Sequence, residues 1–356
     1  MSKNFLKNLI RIIKVKLFFN IYPKVRLAKK KLVDIHEIKN KKFGNKKYQI
    51  FEVNNARIFT NCVENLSIIK NDQLIPQGSF QQINSRLVKP SLNETLRSGT
   101  PKILKKINGT VLVLEQGASG FNNYSHWFMD ILPKIELASS IMNLKKFNYF
   151  YFSKLNNFQK DTLKLLKINN KIIDSGKYRH IKANKVIFLT HPYYTKGTFP
   201  SAQNNLPKWI IHNARNKFLK FKINKNKKYK KIFIDRSDST KKHCKLINNG
   251  QVKNYLSKKG FKILRMSDFS FREQITFFYN AKIIVAPHGA GLTNLIFGKK
   301  NSKVIEIKPN GVKNTVLERI SSINNINHKV IKLKNVKNNI NGDMFLKIEK
   351  LKKILF

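Results

Sequence analysis

The segment 260–307 constrains the fold more than any other part of the chain, because short apolar runs alternate in it with amphipathic stretches. Gly260–Leu264, Lys282–Val285 and Lys303–Ile307 have the length and apolar content of buried strands. Between the first two, Ser270–Glu273 has the form of a capping box and predicts the start of a helix. Consecutive strand, helix and strand units of this kind predict a parallel sheet flanked by helices.

The strand at 282–285 leads into a turn of small residues that suits an anion. The turn consists of Pro287, His288, Gly289, Ala290 and Gly291. A strand that passes into a helix through glycines exposes backbone N–H groups and the positive end of the helix dipole, and a histidine adds a donor or a cation. A glycine pair is a weak signal by itself, and a tight turn around a core histidine explains it equally well.

One carboxylate interrupts the third apolar run, at Glu306. Ligands of open parallel sheets bind at the carboxyl ends of the strands, where His288 and Glu306 both fall. A carboxylate at this edge is a natural partner for a ribose hydroxyl. We therefore predict that Glu306 holds the ribose of a nucleotide.

A second pair of polar residues lies on a predicted helix near the middle of the chain. His126 and Asp130 are four residues apart, so they project from one face and are close enough to share a hydrogen bond. Pro133 then breaks or restarts the helix. A carboxylate or an imidazole can serve as a general base, although such pairs also cap or fix a buried helix end.

Length and cysteine content bound the architecture. At 356 residues the chain exceeds one comfortable core, which predicts two domains, and Cys62 and Cys244 lack the spacing of a metal site or a disulfide framework. The expected divisions are a basic amphipathic segment at 1–33, an α/β domain at 34–222, a Rossmann-like domain at 223–340 and a C-terminal helix at 341–356.

The formal net charge is +52, from 71 basic and 19 acidic residues. Such charge raises affinity for nucleic acid, for an anionic membrane surface and for nucleotide sugars. The lysines are scattered along the chain and not concentrated in one segment, which favours AT-rich coding drift as the source of much of the excess. No zinc-finger, helix-turn-helix or RNP-type signature accompanies them, so no nucleic-acid partner is expected.

The N-terminus has the pattern of a basic amphipathic helix. Its apolar stripe consists of Leu6, Leu9, Ile10, Ile13 and Leu17, and its basic face of Lys3, Lys7, Arg11 and Lys14. Basic residues interrupt the run too often for a signal peptide or a spanning helix. The pattern favours equally a helix in the plane of an anionic membrane and a helix packed on its own domain.

Three sequence blocks together resemble glycosyltransferase family 61. They are Tyr124–Pro133, Ile234–Ser237 and Gln274–Phe297. The blocks occur in the order of the family and span about half of the chain, to Glu306. The chain departs from the family pattern in two places, with Lys241 and Lys242 where relatives have a second arginine, and Asn248-Asn249 where they commonly have Asn-Glu.

The resemblance implies two Rossmann-like domains facing a cleft, the GT-B architecture. It implies an inverting transferase that moves a sugar from a nucleotide-diphosphate donor, expected to be a UDP-sugar, to a glycan or lipid-linked glycan acceptor in capsule or O-antigen synthesis. The absence of any Asp-x-Asp sequence argues against a metal, and no further cofactor is expected. We expect a cytoplasmic protein, peripheral at the inner face of the membrane.

The same resemblance distributes the candidate residues between the two domains. The diphosphate is expected to be held by Arg236, His288 and Gly289–Gly291, with Asn294 nearby and Gln274 supporting the turn. Asp130 is the predicted base and His126 orients it, while the reverse assignment stays open. A non-enzymatic polyanion or nucleic-acid binder and a nucleotide-binding pseudoenzyme are the alternatives, and the transferred sugar cannot be told from the sequence.

Overall fold

The computed structural model describes most of the chain. The described residues are 6, 9–10, 12–13, 17–18, 21–62, 64–115, 123–223, 229–239, 244–336 and 342–355. The chain divides into two compact units, which we call the first and the second unit. The first comprises Met1–Asn157 and Lys167–Ala202, and the second Phe158–Leu166 and Gln203–Phe356.

The first unit contains one mixed sheet. Its strands are β1 (Arg26–Leu27), β2 (Asp34–Ile38), β3 (Tyr48–Cys62), β4 (Asn65–Lys70), β5 (Gln73–Leu74), β6 (Phe80–Ile83), β7 (Arg86–Leu87), β8 (Lys105–Val113), β9 (Tyr149–Phe152), β10 (Lys171–Asp174) and β11 (His180–Leu189). The order is β1-β5-β4-β3-β11-β8-β9-β10, with β2 beside β3, β6 beside β4, and β7 beside β6. The run β11-β8-β9-β10 is parallel, whereas β3 is antiparallel to β2, β4 and β11. The first sheet thus differs from the all-parallel sheet expected of a Rossmann-like domain.

Two tight turns fix the antiparallel part of this sheet. Asn71-Asp72 joins β4 to β5 and Asn84-Ser85 joins β6 to β7, and all four residues have positive φ. Two-residue hairpin turns need positive φ at both positions, and asparagine and aspartate tolerate it better than most residues. The short polar pairs therefore set the register of these hairpins.

The α-helices whose bounds lie within the described residues are mostly short. They are α1 (Glu94–Ser98), α2 (Tyr124–His126), α3 (Leu132–Ser139), α4 (Asn157–Leu165), α5 (Phe199–Asn204), α6 (Lys208–Phe218), α7 (Asn249–Lys258), α8 (Phe271–Asn280), α9 (Val316–Ile323) and α10 (Ile348–Leu355). A π-helical turn, Trp127–Ile131, connects α2 to α3. The predicted capping box at the start of α8 is confirmed, because Ser270 and Glu273 each accept from the other's backbone N–H.

The second unit contains the parallel sheet that the sequence predicts. Its strands are β12 (Lys231–Asp235), β13 (Lys262–Arg265), β14 (Ile283–Pro287), β15 (Lys303–Pro309) and β16 (Asn327–Leu333). Their order is β13-β12-β14-β15-β16, and every pairing is parallel. Phe233, Val285 and Ile305 form the centre of its core, onto which Leu351 of α10 also packs. The chain is therefore a mixed α/β protein with two sheets, one of them all-parallel.

The N-terminal stripe is exposed in the structure. The described residues between 6 and 21 are helical, and the side chains of Leu6, Ile10, Ile13 and Leu17 are 49–59% exposed. The predicted basic face at Lys3, Lys7, Arg11 and Lys14 lies outside the described residues. Among the residues that the structure describes, no helix has the length and hydropathy of a membrane span.

Candidate active site

The predicted glycine turn lies at the carboxyl end of β14, in the middle of the parallel sheet. The backbone N–H of His288 donates to the Ile307 carbonyl of β15 at 2.7 Å, so the ladder continues one residue past the strand. Ala290–Phe297 then forms a 3-10 helix, whose last six side chains are buried. The buried apolar residues anchor the turn, because leaving them in water would cost about 1.5–3 kcal/mol each.

The guanidinium of Arg236 lies directly beneath this turn. Its Nη1 donates to the His288 carbonyl, and its Nη2 donates to Ser239 Oγ at 3.1 Å. A Cβ at Gly289 would be 2.5 Å from Arg236 Cζ, whereas a Cβ at Gly291 would meet its nearest neighbour at 3.7 Å. Position 289 therefore has to be glycine if Arg236 is to keep its place, and position 291 has room for a methyl group.

Gln274 and Asn294 support the turn from inside the protein. The Gln274 side chain donates to the carbonyls of Met266 and Phe269 at 3.0 and 3.1 Å. Its Oε1 accepts from Asn294 Nδ2 at 3.0 Å, and the same amide nitrogen lies 3.2 Å from the Gly291 carbonyl. Asn294 is fully buried. Both amides thus bind protein backbone around the turn, and neither faces solvent.

Glu306 occupies a different place from the one expected of a ribose ligand. It is fully buried, its Oε1 accepts from His288 Nδ1, and its Oε2 accepts from His328 Nε2 at 2.9 Å. Burial opposes ionisation, but hydrogen bonds from the two histidines and the positive charge of His288 and Lys308 outweigh it and lower the pKa of Glu306 to about 2. The carboxylate is therefore ionised and held among protein groups.

Sequence reasoning missed His328, which lies on β16. A further αβ unit at 316–333 is the signal that would have located it, because neighbouring parallel strands place their side chains on a common face. Glu306, Glu318 and His328 have ligand-type atoms within 4.8 Å of one another, a spacing that suits a metal ion. The ammonium group of Lys308 provides the positive charge beside these residues, since its Nζ lies 3.1 Å from Glu318 Oε1.

The predicted His126–Asp130 pair lies in the first unit, at the π-helical turn. His126 Nδ1 and Asp130 Oδ2 are 2.6 Å apart, and Asp130 Oδ1 accepts from the Tyr193 hydroxyl. Asp130 is fully buried, while the His126 side chain is 13% exposed. The imidazole is thus the member of the pair that reaches solvent, and the carboxylate is enclosed behind it.

A buried cation beside this pair was not predicted from sequence. Lys134 is fully buried and donates to the Leu114 carbonyl at 2.8 Å. Burial lowers the pKa of Lys134 to about 7, although the charges of Asp130 and Glu115 oppose the shift. The sequence gives no sign that Lys134 is buried, because a lysine in a helix normally extends to water even when its neighbours in the sequence are apolar.

His191 completes the polar groups around the pair. Its Nδ1 accepts from the backbone N–H groups of Tyr193 and Tyr194 at 3.3 and 3.0 Å, so Nε2 carries the proton. Burial and the charge of Lys134 hold the pKa of His191 well below 6.5. Nε2 is buried, and it has no hydrogen-bond partner among the described residues. The position of His191 just after β11 is the signal that sequence reasoning could have used.

The predicted residues therefore fall into two clusters, one in each unit. Arg236, Gln274, His288, Gly289, Ala290, Gly291, Asn294 and Glu306 belong to the second unit, and His126 and Asp130 to the first. A parallel sheet with a polar turn at the carboxyl edge is the arrangement that many nucleotide-binding α/β enzymes share.

Comparison with known proteins agrees with this class of protein. The family model Glycosyltransferase 61 matches residues 124–305, just over half of the chain. The chain belongs to glycosyltransferase family 61 and is a glycosyltransferase. No curated protein matches it. The matched segment contains every predicted site residue except Glu306, which is the next residue after its end.

Proposed function

We propose that this protein is an inverting, metal-independent glycosyltransferase of GT-B architecture that uses a nucleotide-diphosphate sugar. The observation that carries the proposal is the turn at Gly289, where an arginine, a histidine and the start of a short helix meet in a chain of family 61. Sugar transfer needs positive charge where the nucleoside diphosphate leaves, and these groups supply it.

The donor is held in the second unit. Arg236 and His288 bind the diphosphate together with backbone N–H groups of the turn at Gly289–Gly291, while Gln274 and Asn294 keep the turn in shape. No Asp-x-Asp sequence occurs in the chain, so the pair of carboxylates that commonly holds a divalent cation is missing. The guanidinium and the imidazole take over the neutralisation of the leaving group.

The base is supplied by the first unit, and here the geometry favours His126 over Asp130. Both Asp130 oxygens accept hydrogen bonds and are buried, so an acceptor hydroxyl cannot reach them without rearrangement. The His126 side chain is 13% exposed, and Nε2, the ring nitrogen that is not bonded to Asp130, can take the proton while Asp130 holds Nδ1 and stabilises the imidazolium that forms. Sequence reasoning left this reversed assignment open.

We further propose a UDP-sugar donor and a glycan or lipid-linked glycan acceptor in capsule or O-antigen synthesis. A panel of labelled nucleotide sugars, each tested for binding and for hydrolysis or transfer, tests the proposal. Binding of a nucleotide sugar with turnover supports it, and binding without turnover indicates a pseudoenzyme. If none of the panel binds, the donor site is misassigned.

The proposed place of action is the surface of an anionic membrane. Residues 1–33 contain ten basic residues and no acidic one, and they carry the exposed apolar side chains of the N-terminal helix. The end of this helix is attached to the first unit, since Leu104 N–H donates to the Tyr22 hydroxyl at 2.9 Å. Just beyond it, Lys29, Lys30 and Lys31 line a cavity of about 290 Å³. Apolar side chains next to this many lysines fit a bilayer of anionic lipid.

Vesicle binding tests this attachment. The variant Leu9→Glu/Ile13→Glu removes the apolar contact, and the variant Lys29→Gln/Lys30→Gln/Lys31→Gln removes about 1 kcal/mol per lysine, so both should bind phosphatidylglycerol-containing vesicles much more weakly. The matched controls Ile83→Glu/Leu92→Glu and Lys145→Gln/Lys146→Gln/Lys154→Gln change exposed residues elsewhere in the first unit. If controls and test variants lose binding equally, the attraction is general charge and not this surface.

A further inference from the structure

Behind the glycine turn, four side chains of the second unit form a continuous chain of hydrogen bonds. The Ser321 hydroxyl and His328 Nδ1 are 2.7 Å apart, and His328 Nε2 lies 2.9 Å from Glu306 Oε2. The other carboxylate oxygen of Glu306 bonds to His288 Nδ1. The chain begins on α9, crosses β16 and β15, and ends at the turn that follows β14.

The positions of the protons follow from the carboxylate. Glu306 is ionised and can only accept, so His328 donates from Nε2 and His288 donates from Nδ1. The Ser321 hydroxyl can donate or accept, so it satisfies His328 Nδ1 whether or not that nitrogen carries a proton. The remaining ring atom is His288 Nε2, on a side chain that is 16% exposed. In this series of hydrogen bonds, each ring nitrogen and each carboxylate oxygen thus has a partner except His288 Nε2.

We propose that Glu306 and His328 are positioning residues for the transfer reaction, which fix the ring of His288 so that Nε2–H faces the departing diphosphate. The inference rests on the proposed function, and it replaces the direct ribose contact that the sequence suggested for Glu306. Neither residue touches the donor. A protonated ring satisfies both neighbours, because it donates to Glu306 through Nδ1 and to a phosphate oxygen through Nε2.

Burial explains why two residues are needed for this task. Glu306 has no exposed surface, so an oxygen without a partner would carry the full cost of a desolvated charge. His328 is 5% exposed and supplies the second hydrogen bond, and Ser321, which is fully buried, fixes the ring of His328. His288 is therefore held by a rigid chain on the sheet and not by the turn alone.

A double-mutant cycle with His288 tests the proposal. His328→Phe should weaken UDP binding about tenfold in isothermal titration calorimetry and lower kcat/KM, as the loss of a residue that orients a ligand-binding imidazole does. His328→Gln, whose amide can still donate to Glu306, should restore most of both. In the His288→Ala background, His328→Phe should cause no further loss, because its effect acts only through the imidazole.

An equal loss of UDP affinity in both backgrounds would show a general packing role and overturn the proposal. Nitrogen-15 NMR of the histidine rings provides a second readout that needs no ligand. His288 should show a hydrogen-bonded Nδ1–H in the wild-type protein, and Glu306→Gln and His328→Phe should change that signal. Unchanged His288 signals in a folded variant would also overturn it. A wild-type protein with the expected ring signals that binds no nucleotide would instead refute the proposed function.

Discussion

At the scale of single residues, the two glycines of the donor turn have different tasks. Gly289 makes room for Arg236, whereas Gly291 has no neighbour that a methyl group would displace. We predict that Gly289→Ala displaces the guanidinium and weakens UDP binding by about tenfold or more, as expected when a charge-assisted hydrogen bond worth 1.5–3 kcal/mol is lost. Gly291→Ala is the matched control and should bind nearly as the wild type does. Calorimetry that finds equal affinity in both variants contradicts the assignment.

The imidazole and the carboxylate of the first unit can also be distinguished by substitution. His126→Ala should slow turnover by about 100- to 10,000-fold, the usual effect of losing a general base. Free imidazole in the assay should restore part of the rate in His126→Ala and none in Asp130→Asn. UDP affinity should be unchanged in both variants, since His126 and Asp130 belong to the first unit. If imidazole rescues neither variant and Asp130→Asn is the slower, Asp130 is the base.

A third prediction at this scale concerns acid. The pKa of Glu306 is about 2 in the folded protein and 4.5 in an exposed carboxyl group, so its contribution to stability is complete above pH 4.5 and is lost as the pH falls towards 2. A pKa difference of this size corresponds to about 3 kcal/mol. Urea unfolding between pH 6 and 3 should show a smaller acid loss for Glu306→Gln than for the wild type. Parallel losses would mean that other carboxylates dominate.

Whether the contacts of these residues can be predicted depends on how far apart the partners lie in the sequence. The spacing of His126 and Asp130 predicts their hydrogen bond, because both lie on one short segment. It does not predict the third member, Tyr193, which lies 63 positions away. The burial of Glu306 was missed for the same reason, since the histidine that encloses it comes from a different strand.

At the scale of secondary-structure elements, apolar patterns predicted three strands of the second sheet, β13, β14 and β15, and missed β16. Its strands follow one another along the chain with helices between them, so local patterns and short connections nearly determine the topology. The first sheet could not be predicted in this way, because β3 pairs with β11 and Ala56 lies opposite Ala183. The spacing of apolar residues carries no information about such distant partners.

The buried lysine of α3 gives a prediction that concerns this helix. The pKa of Lys134 is about 7 in the folded protein and 10.5 when exposed, so the unfolded chain binds more protons between these values and stability rises with pH. Lys134→Met should remove that rise. Urea unfolding at pH 7 and at pH 9.5 measures this effect. Between these pH values the free energy of unfolding of the wild type should rise by a few kcal/mol relative to that of the variant, because each pH unit contributes at most about 1.4 kcal/mol. Equal gains would mean that Lys134 reaches water.

At the scale of the whole molecule, the response to salt distinguishes a nucleotide-sugar site from general binding of polyanions to a chain of net charge +52. Binding to DNA should fall steeply with salt, since log K decreases with log salt by about 0.9 for each phosphate that is neutralised. UDP presents only two phosphates and a base and sugar that carry no charge, so its affinity should fall far less. A salt titration of both ligands measures the difference, and equal slopes would favour the non-enzymatic alternative.

The sequence predicted two domains from length alone, but it could not predict how the chain is divided between them. The segment Phe158–Leu166 belongs with Gln203–Phe356, although Lys167–Ala202 intervenes and belongs to the first unit. A short helix carries too little pattern to indicate which core it joins, since packing partners rather than propensity decide its place.

This division has a consequence for the order of synthesis. When Leu166 is added to the nascent chain, none of the 154 residues of Gln203–Phe356 has yet been made. At 5–20 residues per second, about 10 to 40 s pass before the last of them is added. The first unit can close only after Ala202 has emerged, and throughout that interval the chain between residues 157 and 167 must stay outside its core. The first unit can therefore form while Phe158–Leu166 stays apart from it, until the rest of the second unit has been made.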